Sequence, residues 1–273
     1  MNPTAELKIL KNKILEENKR IHALENDLYF KRHPEQVNGY QIRILEDTLE
    51  TFRRLVDNDQ ANILELGCGA GYLYLRLLSR GYFMTGVDLS EEMIRVLERE
   101  IPARLKGRSN LAVMDILEFA YRDQSLYDAV VLSALLHHLF DYETVVRKYC
   151  AKIKTGGLFL IFFEPLKQET PSPARYALHR GLAKLDDFFY RRRMKNEGVP
   201  LFEDDYEYSD YQRKFGGIDP NRLISIMESE GMEVVELKKY CARRSASAAW
   251  AANRVLHSEN TFNLLAKKTG ALP

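Results

Sequence analysis

The stretch NILELGCGAGYLY, residues 62–74, runs strand-forming positions Ile63, Leu64 and Leu66 into three glycines at Gly67, Gly69 and Gly71. A strand that ends in a glycine-rich turn and then opens a helix presents bare backbone N–H groups to a ligand. A phosphate-cradling P-loop needs a lysine in GxxxxGK[S/T], and none follows these glycines. A dinucleotide turn prefers GxGxxG. Here the third glycine arrives one residue earlier, as GxGxG, and Glu65 stands two residues before the first.

Outward from this turn, strands and helices alternate. The strands read as NILEL, FMTGVDL, NLAVMD, YDAVVLSA and LFLIFFEP, with MEVVELKKY and NTFNLLAKK near the end of the sequence. Between them fall the helices YLYLRLLSR, EEMIRVLERE capped by Ser90, and YETVVRKYCAKIK stopped at Gly156-Gly157. Asp219-Pro220 then leads a further helix, NRLISIMESEG. Continuous apolar strands separated by amphipathic helices predict a sheet covered on both faces. The right-handed crossover rule makes it doubly wound. The predicted fold is α/β: a doubly wound, mostly parallel seven-stranded sheet at 58–165 and 216–273. A helical extension at 1–57 and a helical or irregular lid insertion at 166–215 complete it.

In the extension, Leu7, Leu10, Ile14, Ile21, Leu24 and Leu28 keep a/d heptad spacing, with Glu17 the one miss. Such a seam can join a second subunit into a homodimer or dock on its own domain. A turn-rich joint follows, carrying Tyr29, His33 and Tyr40. The insertion holds Phe188, Phe189, Tyr190, Phe202, Tyr206, Tyr208, Tyr211 and Phe215. These rings suit either an aromatic lid over a partly apolar acceptor or a small satellite core.

Composition bounds the function. The 40 basic and 39 acidic residues leave a net charge of +1, so nothing draws the whole chain to nucleic acid or anionic membrane, although local patches remain open. Three cysteines without a CxxC pair fit a reducing compartment and argue against a disulfide scaffold or a structural zinc. No apolar run reaches membrane-spanning length, and the first residues lack an apolar signal core; the expectation is a cytoplasmic protein.

Two further acids end strands: Asp88 in GVDLS and Asp115 in NLAVMDILEF. A carboxylate at Asp88 can accept both hydroxyls of a ribose. With ILELGCGAGYL, these residues resemble the class I S-adenosylmethionine-dependent methyltransferases, over roughly residues 60–165 and, in outline, the last two strands. The resemblance implies S-adenosylmethionine as cofactor, its methionine part held by Glu65 and the turn from Gly67 through Cys68 and Gly69 to Gly71. It implies ribose on Asp88 and the adenine amino group on Asp115, with Leu89, Met114 and Ile116 as walls of the base. In YDAVVLSALLHHL it places Ser133, at the end of the fourth strand, among the cofactor-binding residues, and the loop that follows facing the sulfonium. Cys68 itself reads as a small packing residue and not as a nucleophile.

The implied reaction is methyl transfer to a hydroxyl or amine of a small molecule. A hydroxyl acceptor needs a base, and the candidates are His137 toward the methyl and His138 in support. His33, Tyr29 and Tyr40 stand in reserve. A tRNA or rRNA methyltransferase is the rival, on the basic segments YRRRMK and KGRSN; the neutral total and the acidic EDDYE run argue against it. A catalytically silent domain that keeps the fold is the third reading, opposed by the intact cofactor constellation. No metal is expected, because the stretch from Ala134 to His138 lacks the glutamates of metal-using relatives and two histidines alone make a poor site.

Overall fold

The computed structural model describes residues 3–201 and 207–270; Phe202, Tyr206 and the acids 203–205 of the EDDYE run lie outside them. The chain begins with α1 (Pro3–Glu25), the short α2 (Tyr29–Arg32) and α3 (Pro34–Val37), and α4 (Gly39–Val56). Asn38 starts α4 by accepting from the N–H groups of Tyr40 and Gln41. The alternating region follows as β1 (Asn62–Leu66), α5 (Tyr74–Ser79), β2 (Phe83–Asp88), α6 (Glu91–Glu100), β3 (Ser109–Val113), α7 (Ile116–Arg122), β4 (Tyr127–Ser133), α8 (Tyr142–Cys150) and β5 (Ile153–Glu169). The long α9 (Pro173–Asn196) fills much of the insertion, and α10 (Pro220–Ser229), β6 (Met232–Tyr240), α11 (Ala246–Arg254) and β7 (Glu259–Lys268) complete the fold.

The seven strands lie in the order β3-β2-β1-β4-β5-β7-β6, all parallel except β7, which runs antiparallel to both neighbours. The pleat sends successive side chains to opposite faces and so builds two cores. Ile63, Ala129, Val131, Leu158 and Leu160 pack with Leu45, Leu49 and Phe52 of α4 on one face. Leu64, Val130, Leu132, Phe159 and Ile161 pack with Val145, Val146 and Tyr149 of α8 on the other.

Two boundaries differ from the sequence reading, and each has a local cause. The helix over YETVVRKYC ends at Cys150, and Ile153 already pairs with Tyr127 as the start of β5. Gly156 and Gly157 therefore sit inside a strand, at a register shift, and do not stop a helix. A Cβ on Gly157 would fall 2.6 Å from the Asp128 carbonyl oxygen, so only glycine lets the strands close there. Beyond Pro165, β5 continues to Glu169 against β7, past a second shift between Ile161 and Glu164.

In α1 the buried row is Ile14, Asn18, Ile21 and Glu25, while Leu7 and Leu24 of the heptad face solvent. The helix lies across its own domain by this 3.6-residue stripe. Glu17, the break in the heptad, accepts hydrogen bonds from the N–H groups of Tyr208 (2.5 Å) and Ser209 (2.8 Å).

Candidate active site

The turn after β1 is fixed by its neighbours. Gly67 and Cys68 donate to the Val87 carbonyl, and Gly69 N–H donates to Asp88 Oδ2 at 2.8 Å. Gly67, Gly69 and Gly71 have φ of +62°, +48° and +92°, a region that favours glycine. Gly71 serves packing: a Cβ there would lie 2.6 Å from Leu97 Cδ1, so its absence lets α6 close on the turn. At Gly69 a Cβ would approach nothing nearer than Met93 Cε, at 3.6 Å, because the residue borders open space. Cys68 is buried and burial raises its thiol pKa, consistent with a packing residue.

That space is a cavity of about 280 Å³ at the C-terminal ends of the parallel strands, where ligands bind open α/β sheets. Gly67, Gly69, Asp88, Leu89, Met114, Asp115, Ile116 and Ser133 all line it. Asp88 Oδ1 accepts from Ser90 N–H at 2.8 Å, and each of its oxygens keeps a lone pair for a ligand. Asp115 caps α7 through Oδ1, at 2.9 Å from Leu117 N and 3.1 Å from Glu118 N, and its other oxygen remains available to a ligand. Lys11, Ile14, Leu15 and Asn18 of α1 form the opposite wall. Glu65 is 1% exposed beneath the turn, its Oε2 has no protein hydrogen-bond partner, and burial raises its pKa well above the carboxylate range.

The loop after β4 gathers the two histidines beside the acids Glu164 and Asp210. Ala134 (φ 51°), just past the end of β4, and Phe163 (φ 58°), at the bulge within β5, both adopt left-handed backbone, the kind of local strain that persists only where surroundings enforce it. The bulge at Phe163 turns Glu164 into the loop. Its fully buried carboxylate accepts from the N–H groups of Leu135 (2.6 Å) and Leu136 (2.7 Å) and lies 2.9 Å from His137 Nδ1. Burial raises the Glu164 pKa to about 7 and lowers that of His137 to about 3, so near neutral pH the imidazole is neutral, and when the carboxyl is ionised the His137 Nδ1–H donates to it.

His137 Nε2 then faces Asp210 Oδ1 at 3.6 Å, and His138 Nδ1 lies 3.5 Å from the same oxygen. The two rings stand together, centroids 4.0 Å apart. His138 donates from Nδ1 to the Ser209 carbonyl, which leaves Nε2 as its lone-pair nitrogen, and burial lowers its pKa to about 3. A second cavity of about 530 Å³ opens on this pair and is lined by Glu25, Tyr29, Arg32, His33, Asp210 and Arg244 among others. His137 borders this cavity, whereas His138 borders both. Tyr29 also borders both, and its hydroxyl accepts from Gln36 Nε2 at 3.0 Å. His33 is clamped between Glu25 (2.9 Å) and Glu35 (3.2 Å), which raise its pKa to about 9 against the opposing effect of burial. Tyr40 stands apart, in a surface depression with Lys238 and Lys239. Glu164 and Asp210 were not singled out in the sequence. A lone acid in the apolar run LFLIFFEP was the available signal for the first; Asp210, in a polar segment, offered none.

The insertion's rings are distributed unevenly. Tyr190 packs inward with Met194 and Val199, while Phe188 and Phe189 face solvent.

The donor set fits S-adenosylmethionine: a partnerless buried carboxylate oxygen at Glu65, two left-handed glycines on the cavity wall, and carboxylates at the ends of β2 and β3. Residues 64–161 match the family model described as a methyltransferase domain, and this match supports a class I, Rossmann-like S-adenosylmethionine-dependent methyltransferase. Among curated proteins it is 30% identical over 130 residues to a ubiquinone biosynthesis O-methyltransferase of Bordetella avium, covering 45% of this chain and 51% of that protein. A protein of the same description from Bordetella pertussis is 31% identical over 140 residues, covering 46% and 55%. The chain thus spans about half the length of these relatives. The N-methyltransferase NodS from Bradyrhizobium japonicum, solved with S-adenosyl-L-homocysteine, shares the fold at TM-score 0.56 and 15% identity, over 93% of this chain and 98% of that one. Magnesium protoporphyrin IX methyltransferase from Synechocystis does so at TM-score 0.51 and 14% identity, over 92% and 97%.

Proposed function

We propose that the chain transfers a methyl group from S-adenosylmethionine to a hydroxyl of a small molecule. The observation that carries this reading is the meeting of the two cavities: His22, Tyr29, Ala134 and His138 border both, at the end of β4. One cavity has the donor set for the cofactor, and the other offers polar groups to an acceptor. When bound, S-adenosylmethionine supplies an electrophilic methyl on a positively charged sulfur. Asp88 would accept from the ribose hydroxyls and Asp115 from the adenine amino group, with Leu89, Met114 and Ile116 as apolar walls. The turn at Gly67 and Gly69, with Glu65 beneath it, would hold the methionine part.

The rest is alignment and proton handling. His138 Nε2 would take the acceptor's proton, because the Ser209 carbonyl fixes its tautomer and Asp210 offsets the imidazolium charge that forms. His137, held by Glu164, would form the second half of the pair. The descriptions of the curated relatives favour a hydroxyl over an amine, for which placement alone would suffice. No cation enters this reading. Donor atoms of His137, His138 and Asp210 lie within 4.8 Å of one another, but His138 Nδ1 is committed to a carbonyl and Arg213 pairs with Asp210 at 3.2 Å.

Titrating the chain with S-adenosylmethionine and then incubating it with labelled cofactor and fractionated cell extract tests the proposal. Saturable binding and label in small molecules are expected. Label in RNA or protein would replace the acceptor class, and absence of binding would leave a silent domain.

A further inference from the structure

We propose that the outer face of α9 is a docking surface for an anionic lipid bilayer. This inference rests on the helix alone and stands whether or not the methyl-transfer reading holds.

The helix wears its polarity inside out. Its inward row is His179, Asp186, Tyr190 and Met194, all buried. Asp186 accepts from Arg244 N–H at 2.9 Å and from the Ser245 hydroxyl at 2.6 Å, and Asp187 pairs with Arg244. The Tyr190 hydroxyl donates to the Arg32 carbonyl at 2.8 Å. These bonds fix the rotation of the helix about its own axis and hold the opposite face outward.

On that outward face Leu178, Leu185 and Phe189 are 64%, 53% and 59% exposed, with Phe188 beside them at 57%. Steps of seven and four residues put the first three in one row, roughly 16 Å long at the helical rise. Folding normally buries such a row, so an exposed one marks an interaction site. Arg180, Lys184, Arg191 and Lys195 recur at four, seven and four along the flank beyond Phe188, where Arg191 also pairs with Asp187 at 2.8 Å. The long side chains of Arg180, Lys184 and Lys195 can carry charge outward to lipid headgroups.

Charge selects the occupant. The helix carries seven Lys and Arg against two Asp, in a chain whose net charge is only +1. A second copy of this face would bring like charges together, and RNA would have no use for a leucine–phenylalanine row. An anionic bilayer satisfies both features at once. Among the described residues no helix is long and apolar enough to cross a membrane, so the contact lies on the surface.

Pelleting of the full chain with vesicles tests this. Wild type should pellet with equimolar phosphatidylcholine–phosphatidylglycerol vesicles and bind pure phosphatidylcholine at least about tenfold more weakly. Leu185→Glu with Phe189→Glu should abolish pelleting, and Arg180→Glu with Lys184→Glu should weaken it, both with unchanged circular dichroism and cofactor affinity. Failure of wild type to pellet with anionic vesicles overturns the proposal, as does undiminished pelleting of the Leu185/Phe189 variant. A wild-type dimer that this variant converts to monomer, without vesicle binding, assigns the face to a second copy. RNA binding that needs Arg180 and Lys184 but not Leu185 and Phe189 assigns it to nucleic acid.

Discussion

At the scale of single residues, the site consists of carboxylates with two jobs each. Asp88 holds the Gly69 N–H and, on the proposed function, would also accept from the cofactor's ribose, so Asp88→Ala would remove that contact and loosen the turn. Hydrogen bonds to a charged group contribute about 1.5–3 kcal/mol, so S-adenosylmethionine affinity should fall roughly ten- to hundredfold. Gly69→Val should fail for a different reason, since it forces a β-branched residue to φ +48° and places its methyls at the cavity wall. Calorimetry on both variants decides, and unchanged affinity in both would show the cofactor site to be elsewhere. For a hydroxyl acceptor, His138→Ala should lower turnover by roughly 10²–10⁴ with cofactor affinity little altered. Glu164→Gln acts at one remove, by loosening the His137 ring, and should cost roughly ten- to hundredfold. Turnover within tenfold of wild type in both His137→Ala and His138→Ala would exclude a histidine base and favour placement of an amine.

At the scale of elements, spacing made the strands and most helices legible, because a two-faced parallel sheet prints continuous apolar runs and its helices print stripes. What stayed illegible depended on distant partners. Gly156 and Gly157 look like a helix stop in sequence; only the Asp128 carbonyl across the sheet explains Gly157, and a left-handed φ of +83° explains Gly156. The places of Asp88 and Asp115 at strand ends were readable and the structure puts both on the first cavity, whereas Glu164 reaches the histidine loop through a bulge and Asp210 through the folding of a polar segment onto the histidines. The joint between α1 and α3 offers a pH test. His33 has its folded pKa raised to about 9 from 6.5, so its stabilising charge is fully present below about pH 6.5 and is lost as pH rises through 9. Glu25 and Glu35, whose pKa values the histidine lowers, contribute above the ordinary carboxylate value and lose their share as pH falls through the depressed one. The unfolding midpoint of wild type should therefore exceed that of His33→Gln most near pH 6, and the gap should close above pH 9. An equal gap at both ends would remove the clamp.

At the scale of the molecule, the second cavity is closed by pieces from distant parts of the sequence. Glu17 of α1 holds the backbone of Tyr208 and Ser209, and Asn18 donates to the His138 carbonyl at 3.2 Å. Ser209 in turn accepts from His138, so α1, the 207–215 segment and the loop after β4 share one hydrogen-bond network. Such a network opens as a unit. α9, by contrast, is pinned to Arg244 and Ser245 beside α11 and does not depend on that network. Filling both cavities should therefore protect α1 and residues 207–215 together in hydrogen exchange and reduce proteolysis between Lys167 and Arg213 at sites C-terminal to α9. Glu17→Gln should uncouple the first two, so that ligand protects α1 less while the strand cores keep their exchange rates. Equal cleavage with and without ligands, or protection of α1 without the 207–215 segment, would show a fixed wall in place of a cover.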